Sequence, residues 1–231
     1  YTIIFNISLN LTDKLKIKWE KKFGNAKYGD TWKEIDIEWY KKTHDSNHIL
    51  HDDFKKFLKS KKDIKTILEV GCGTGIYPIN NKELFKNLEY TGTDFSKSVI
   101  NYCKKNSNFQ FFEGDFIKME LSKKYDCVFS HAVVDHVYDI DKFITNLVKA
   151  TKKYAYINSY RGYFPDLESH KMQWDGHEGC YFNDLSVSQL EKFLLDNGLS
   201  KEEFIIRPQE SGASGITKIH AVIEINKKKK N

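Results

Sequence analysis

Residues 66–75 read T-I-L-E-V-G-C-G-T-G, a short apolar run that ends in glycines at 71, 73 and 75. A run of this length closed by glycine predicts a buried strand over Thr66–Val70 and then a tight turn. Without Cβ atoms, the three glycines let the backbone bend sharply and come close to a ligand. Taken alone, the motif is an ordinary glycine-rich turn as readily as a binding loop. The next strand, expected over Leu88–Thr93, ends in T-G-T-D-F-S and so places Asp94 23 residues after Gly71. That is the spacing at which a carboxylate accepts both hydroxyls of a ribose. Ser96 is expected to fill the helix N-cap beside it. The third strand, expected over Phe109–Glu113, runs into F-F-E-G-D-F, where Asp115 and Phe116 offer an acid and a ring to an adenine. All three elements fall at the carboxyl ends of consecutive strands, where open α/β sheets bind ligands.

Further strands are expected over Tyr125–Ser130 and Tyr154–Asn158, with a helix near Asp141–Ala150 between them. A helix over Ser186–Asn197 closes on Gly198, and two β-runs, Phe204–Arg207 and Ile216–Ile225, finish the chain. Strands alternating with helices imply right-handed crossovers and a mainly parallel α/β sheet. The two closing runs, with no long helix between them, imply an antiparallel hairpin at the edge. Residues 1–60 are expected to form an N-terminal arm and a cap of two or three helices, the arm because residues 1–11 alternate apolar with polar residues. Within the cap, Ile49, Phe54, Phe57 and Leu58 recur at helical spacing. Residues 61–226 form the main domain.

The E-V-G-C-G-T-G turn, Asp94, the Asp115-Phe116 pair and S-H-A-V-V-D-H-V over Ser130–Val137 together resemble the class I S-adenosylmethionine-dependent methyltransferases of small-molecule type, across roughly residues 60–225. The resemblance implies a Rossmann-like, seven-stranded sheet with an antiparallel C-terminal hairpin and S-adenosyl-L-methionine as cofactor. By it, Glu69, Gly71, Gly73 and Gly75, with Cys72, hold the methionine part of that donor. Asp94, Phe95 and Ser96 hold the ribose, Asp115 and Phe116 the adenine, and Ser130 lies at the same edge. Among the cap aromatics, Tyr28 and Trp32 are expected to cover the methionine end. A nicotinamide dehydrogenase, the rival use of such a turn, needs glycine at 76, where the chain has Ile76.

Methyl transfer to a hydroxyl needs an in-line approach and a base for the proton. His131, just past the fourth strand, is the expected base, with Asp135 and His136 one turn on. Residues 159–185 are too long for a plain connection and are expected to form an acceptor lid. In it, Arg161 is suited to clamp an anion and His177 to acid–base work, while Tyr160, Tyr163, Trp174 and Tyr181 line the acceptor pocket. O-methylation of a small polar hydroxyl compound, phosphorylated, nucleotide-linked or sugar-derived, is the expected reaction. N-methylation of a small amine and a non-catalytic cofactor-binding scaffold are the alternatives.

The formal net charge of +5 includes Lys227–Lys230, so the rest of the chain is close to neutral. Residues 227–231 are expected to be a solvated, disordered tail, which argues against a nucleic-acid partner, as does the absence of an N/D-P-P-Y segment. No apolar run is long enough to span a bilayer. Four cysteines without a C-x-x-C pair or zinc spacing imply free thiols in a cytoplasmic protein with no metal site, although Asp135 and Asp139 leave a small opening for one. A homodimer is compatible with the sequence. The chain opens on Tyr1 rather than Met, so the native start is expected upstream and no targeting signal can be judged.

Overall fold

The computed structural model of the chain describes residues 27–33, 37–43, 49–176, 178–210 and 219–228. The arm expected over 1–11, the cap residues up to 26, His177 and Lys229–Lys230 lie outside these.

Three cap helices come first, α1 (Asp30–Lys33), α2 (Ile37–Thr43) and α3 (Ile49–Ser60). The sheet then begins with β1 (Thr66–Val70), β2 (Glu89–Asp94), β3 (Gln110–Glu113), β4 (Tyr125–His131) and β5 (Thr151–Ser159). Between these strands lie α4 (Ile76–Asn80), α5 (Lys82–Phe85), α6 (Lys97–Asn106), a 3-10 turn over Val134–His136, and α7 (Ile140–Ala150). After β5 come a hairpin of β6 (Lys171–Asp175) and β7 (Cys180–Asp184), then α8 (Val187–Asp196), β8 (Phe204–Glu210) and β9 (Ile219–Asn226). The main sheet has seven strands in the order β3-β2-β1-β4-β5-β9-β8. Its first five strands pair in parallel, while β9 runs antiparallel to both β5 and β8.

Burial on both faces explains the apolar runs, because a parallel sheet must be covered on each side. On one face Leu68, Val128, Ala155, Ile157 and Ile223 pack against Phe143, Ile144 and Leu147 of α7 and Leu190 and Leu194 of α8. On the other, Ile67, Cys127, Phe129 and Tyr156 pack against Phe54, Phe57 and Leu58 of α3 and against Tyr77. Asp139 caps α7 by accepting from the Lys142 N–H at 2.8 Å, and Ser186 caps α8 by accepting from that of Gln189 at 3.1 Å.

Two expectations change here. The segment 159–185 is not an irregular loop but carries the β6–β7 hairpin. Its turn is held by Asp175, which accepts from the backbone of Glu178 at 2.9 Å. The hairpin is fixed to the body by Asn183, whose amide donates to the Val134 and Val137 carbonyls at 2.9 and 2.8 Å. Lys227, expected in a solvated tail, is anchored: its ammonium donates to the Val148 and Thr151 carbonyls at 2.6 and 2.9 Å. It thus places a cation at the C-terminus of α7, the negative end of that helix dipole. The four cysteines are free and buried.

Candidate active site

The glycine turn is built as a cradle. Gly71 and Gly73 have φ of 73° and 49°, and a Cβ at either would press into Val133 or into the Tyr40 hydroxyl. The backbone N–H groups of Gly71 and Cys72 both donate to the Thr93 carbonyl, at 2.8 and 3.0 Å, which binds the turn to the end of β2. Asp94 stands at the rim. Its carboxylate accepts from the N–H of Gly73 at 3.0 Å and from that of Ser96 at 2.9 Å. Burial raises the Asp94 carboxyl above its ordinary value, with the backbone donors opposing the shift. Glu69 is buried beneath the turn and accepts from the Tyr90 hydroxyl. Burial lifts its carboxyl well above the usual range. A glycine backbone that tolerates no side chain, edged by a buried acid at the end of β2, fits the close approach of an adenosyl ligand.

Ser96 occupies the N-cap position of α6, yet its side chain makes no capping bond; its hydroxyl lies 3.0 Å from that of Ser98. Ser130 spends its hydroxyl on the Val70 carbonyl at 2.9 Å, which joins β4 to β1. Asp115 accepts from the Tyr138 hydroxyl at 2.9 Å. Phe116, expected to offer its ring, is instead packed in the core against Phe143 with centroids 5.6 Å apart, so its backbone is what remains for a ligand. The cap closes over this edge. Tyr28 stacks near Phe95 at 6.2 Å and meets Tyr138 edge-on at 4.7 Å, while Trp32 lies 5.5 Å from the His136 ring. Tyr40, which the sequence reading did not single out as a site residue, covers Gly73 from α2.

Past β4 the expected catalytic residues divide. His131 ends β4 with its Nε2 buried and without a hydrogen-bond partner. Its ring is enclosed by His51, Tyr77, Phe54 and Tyr156 at centroid distances of 5.4, 5.3, 5.7 and 5.5 Å. Burial holds it well below the ordinary imidazole value, with His51 and His220 pushing the same way, so the ring is neutral. Asp135, expected beside it in catalysis, is instead a structural anchor with no exposure. It accepts from the Ser159 hydroxyl at 2.6 Å and from the N–H groups of Tyr160 and Arg161 at 3.2 and 3.1 Å. His136 is likewise held, because the Tyr181 carbonyl at 2.9 Å requires a proton on Nδ1. Nε2 is then left to accept from the Tyr160 hydroxyl at 3.0 Å.

Arg161, expected as a free clamp for an anion, is paired with Asp184 through Nε at 3.1 Å and a terminal nitrogen at 3.0 Å. Its cation is already matched, and the expectation of an anionic acceptor loses the residue on which it stood. Tyr181 faces Trp174 at 5.1 Å and Tyr28 at 6.4 Å, which joins hairpin to cap. Trp174 is 41% exposed on the outer strand, and Tyr163 pairs through its backbone N–H with the Ile219 carbonyl at 3.0 Å. Among the described residues no cluster suited to a metal ion occurs.

A family model described as a methyltransferase domain matches residues 61–194, more than half of the chain. Over 91 residues the chain is 32% identical to the malonyl-[acyl-carrier protein] O-methyltransferase of Calditerrivibrio nitroreducens, covering 39% of this chain and 36% of that protein. Over 142 residues it is 30% identical to the ubiquinone biosynthesis O-methyltransferase of Rickettsia prowazekii, covering 55% and 56%. The matches thus span between about a third and about half of these curated relatives. Among solved structures it is similar in fold to magnesium protoporphyrin IX methyltransferase from Synechocystis PCC 6803 with bound SAM. The TM-score is 0.54 at 17% identity, over 77% of each chain. By the family match and by its sheet, the chain belongs to the methyltransferase-domain family, on the Rossmann-like fold of S-adenosylmethionine-dependent methyltransferases.

Proposed function

We propose that this domain transfers a methyl group from S-adenosylmethionine to the hydroxyl oxygen of a small, uncharged acceptor, with His131 as the base. The observation that carries the reading is the His131 ring, which is neutral, sits at the end of β4 and presents a buried Nε2 with no partner among the described residues. The two relatives described above are O-methyltransferases by name, which supports oxygen as the receiving atom.

S-adenosylmethionine, when bound, supplies an electrophilic methyl on a sulfonium. The chain does the rest. Gly71 and Gly73 admit the ligand's chain to the backbone, and Asp94 turns a carboxylate toward its sugar. The cap aromatics Tyr28, Trp32 and Tyr40 exclude water from this edge. His131 Nε2 receives the acceptor's proton as its oxygen becomes nucleophilic. A positioned base of this kind contributes about 10²–10⁴-fold.

His131→Ala is expected to lower turnover on a hydroxyl acceptor by about 10²-fold or more while cofactor affinity stays near wild type. Because burial keeps the ring neutral, the acid limb of the wild-type rate profile is expected below the ordinary imidazole value. Unchanged turnover in the variant removes His131 from the mechanism and favours an amine acceptor, which needs little base once neutral.

A further inference from the structure

We propose that His131 and Asn158 together read a pair of adjacent hydroxyls, so that the acceptor is an uncharged vicinal diol. The inference rests on the methyl-transfer reading above and narrows its substrate class.

His131 of β4 and Asn158 of β5 are register partners. Their side chains therefore leave the same face of the sheet about 5 Å apart, the spacing of neighbouring strands. Asn158 is 1% exposed. Its amide donates to Gln209 Oε1 across the sheet at 3.4 Å, and this orients the group. The other end, Oδ1, is buried and has no partner, as is true of His131 Nε2. A buried acceptor left without a donor is costly and calls for an explanation. Buried polar atoms in the same condition on Asn81, Thr91, His170 and Asn183 are scattered through different elements, while His220, which acts electrostatically on His131, is engaged in another interaction. Those of His131 and Asn158 stand side by side at the carboxyl edge, where the acceptor is expected.

With the neutral His131 ring protonated on Nδ1, the two neighbouring atoms ask for a ligand that brings two donors. Hydroxyls on adjacent carbons, roughly 2.8 Å apart, diverge naturally toward two atoms at strand spacing. Nothing here welcomes a negative charge. His131 is neutral, Arg207 on the same face is committed to Asp53 and Glu224 at 2.5 and 2.6 Å, and Arg161 is committed to Asp184. In the reaction, the hydroxyl facing His131 loses its proton to Nε2, and its oxygen forms the new bond to the methyl carbon. The carbon–sulfur bond breaks and its electron pair stays on sulfur, which leaves as a neutral thioether. The second hydroxyl donates to Asn158 Oδ1 throughout and is not methylated, so the product is a monomethyl ether. An acceptor with one hydroxyl leaves one buried atom unpaired, the condition under which polar sites discriminate strongly.

The test is calorimetric binding to the protein saturated with S-adenosylhomocysteine. The probes are catechol against phenol, and cis-1,2-cyclohexanediol against cyclohexanol. The wild type is expected to bind each diol at least tenfold more tightly than its single-hydroxyl partner. In Asn158→Leu the preference should shrink to within about threefold, with S-adenosylhomocysteine affinity unchanged. Gln209→Met, which frees the amide without removing it, should weaken the preference partly and serves if the first variant fails to fold. Equal binding of both members of each pair by the wild type, or binding of no diol, overturns the inference and leaves the donor reading standing. Failure of the wild type to bind S-adenosylhomocysteine overturns the donor reading itself.

Discussion

The two halves of the sheet's carboxyl edge are finished to different degrees. On the β1–β2 side, Asp94 and Glu69 already have donors, from Gly73, Ser96 and Tyr90. On the β4–β5 side, His131 Nε2 and Asn158 Oδ1 have none. The first half holds its acids in place before any ligand arrives. The second keeps polar atoms buried and unspent. A donor that is the same in every turnover suits the first arrangement, and a ligand whose hydrogen bonds complete the site suits the second.

The comparison breaks most severely at the cradle. Gly71→Val forces a side chain against Val133 at a positive φ and is expected to cost about 3 kcal/mol or more of stability, read from urea denaturation. A well-folded variant with normal donor affinity would show that the turn is not a close-fitting cradle. Next comes Asp94→Ala, expected to weaken S-adenosylmethionine binding by about 10–100-fold, the worth of a charged hydrogen bond. Equal affinity by calorimetry would take Asp94 out of the donor site.

A smaller effect separates anchor from catalyst past β4. Burial raises the Asp135 carboxyl to about 6 from 3.8, so between those values the folded state binds more protons than the unfolded one. Stability should therefore fall as pH rises through that window, by on the order of 3 kcal/mol, and Asp135→Asn should lose this slope. A variant with the wild-type slope would assign the titration elsewhere. The smallest effect is expected at Arg161→Met, where loss of a partly exposed ion pair should change stability by less than about 1 kcal/mol. The acceptor KM should hardly move. A large rise in KM confined to anionic acceptors would restore Arg161 as a clamp.

The proposed donor half could be assembled from the sequence because it is local. The glycine turn, Asp94 and Asp115 lie within 45 residues of one another, each at a strand end whose apolar run announces it. The β8–β9 hairpin was legible for the same reason. The proposed acceptor half could not be so assembled, because its parts meet only through the register of β4, β5, β9 and β8. His131 was visible as a residue after a strand, but nothing near Asn158 marks it until the two are paired. The β6–β7 hairpin escaped because Lys171–Asp175 is exposed along most of its length and its alternating apolar pair, Met172 and Trp174, is too short a signal and marks no buried face. The pairing of Arg161 gave no local signal because the carboxylate that holds it, Asp184, lies 23 residues on, across that unseen hairpin. The Arg207–Asp53–Glu224 network, which ties α3 to the edge strands, gave no local signal at all.

The N–H of Gly29 donates to the Gly179 carbonyl at 2.7 Å, so the cap and the turn of the β6–β7 hairpin meet through main chain as well as through the Tyr28 and Tyr181 rings. No side chain takes part in that one bond. Residues on either cover that face an acceptor can therefore be exchanged without parting the two. A lineage built on this architecture keeps that main-chain tie while the rings around it drift.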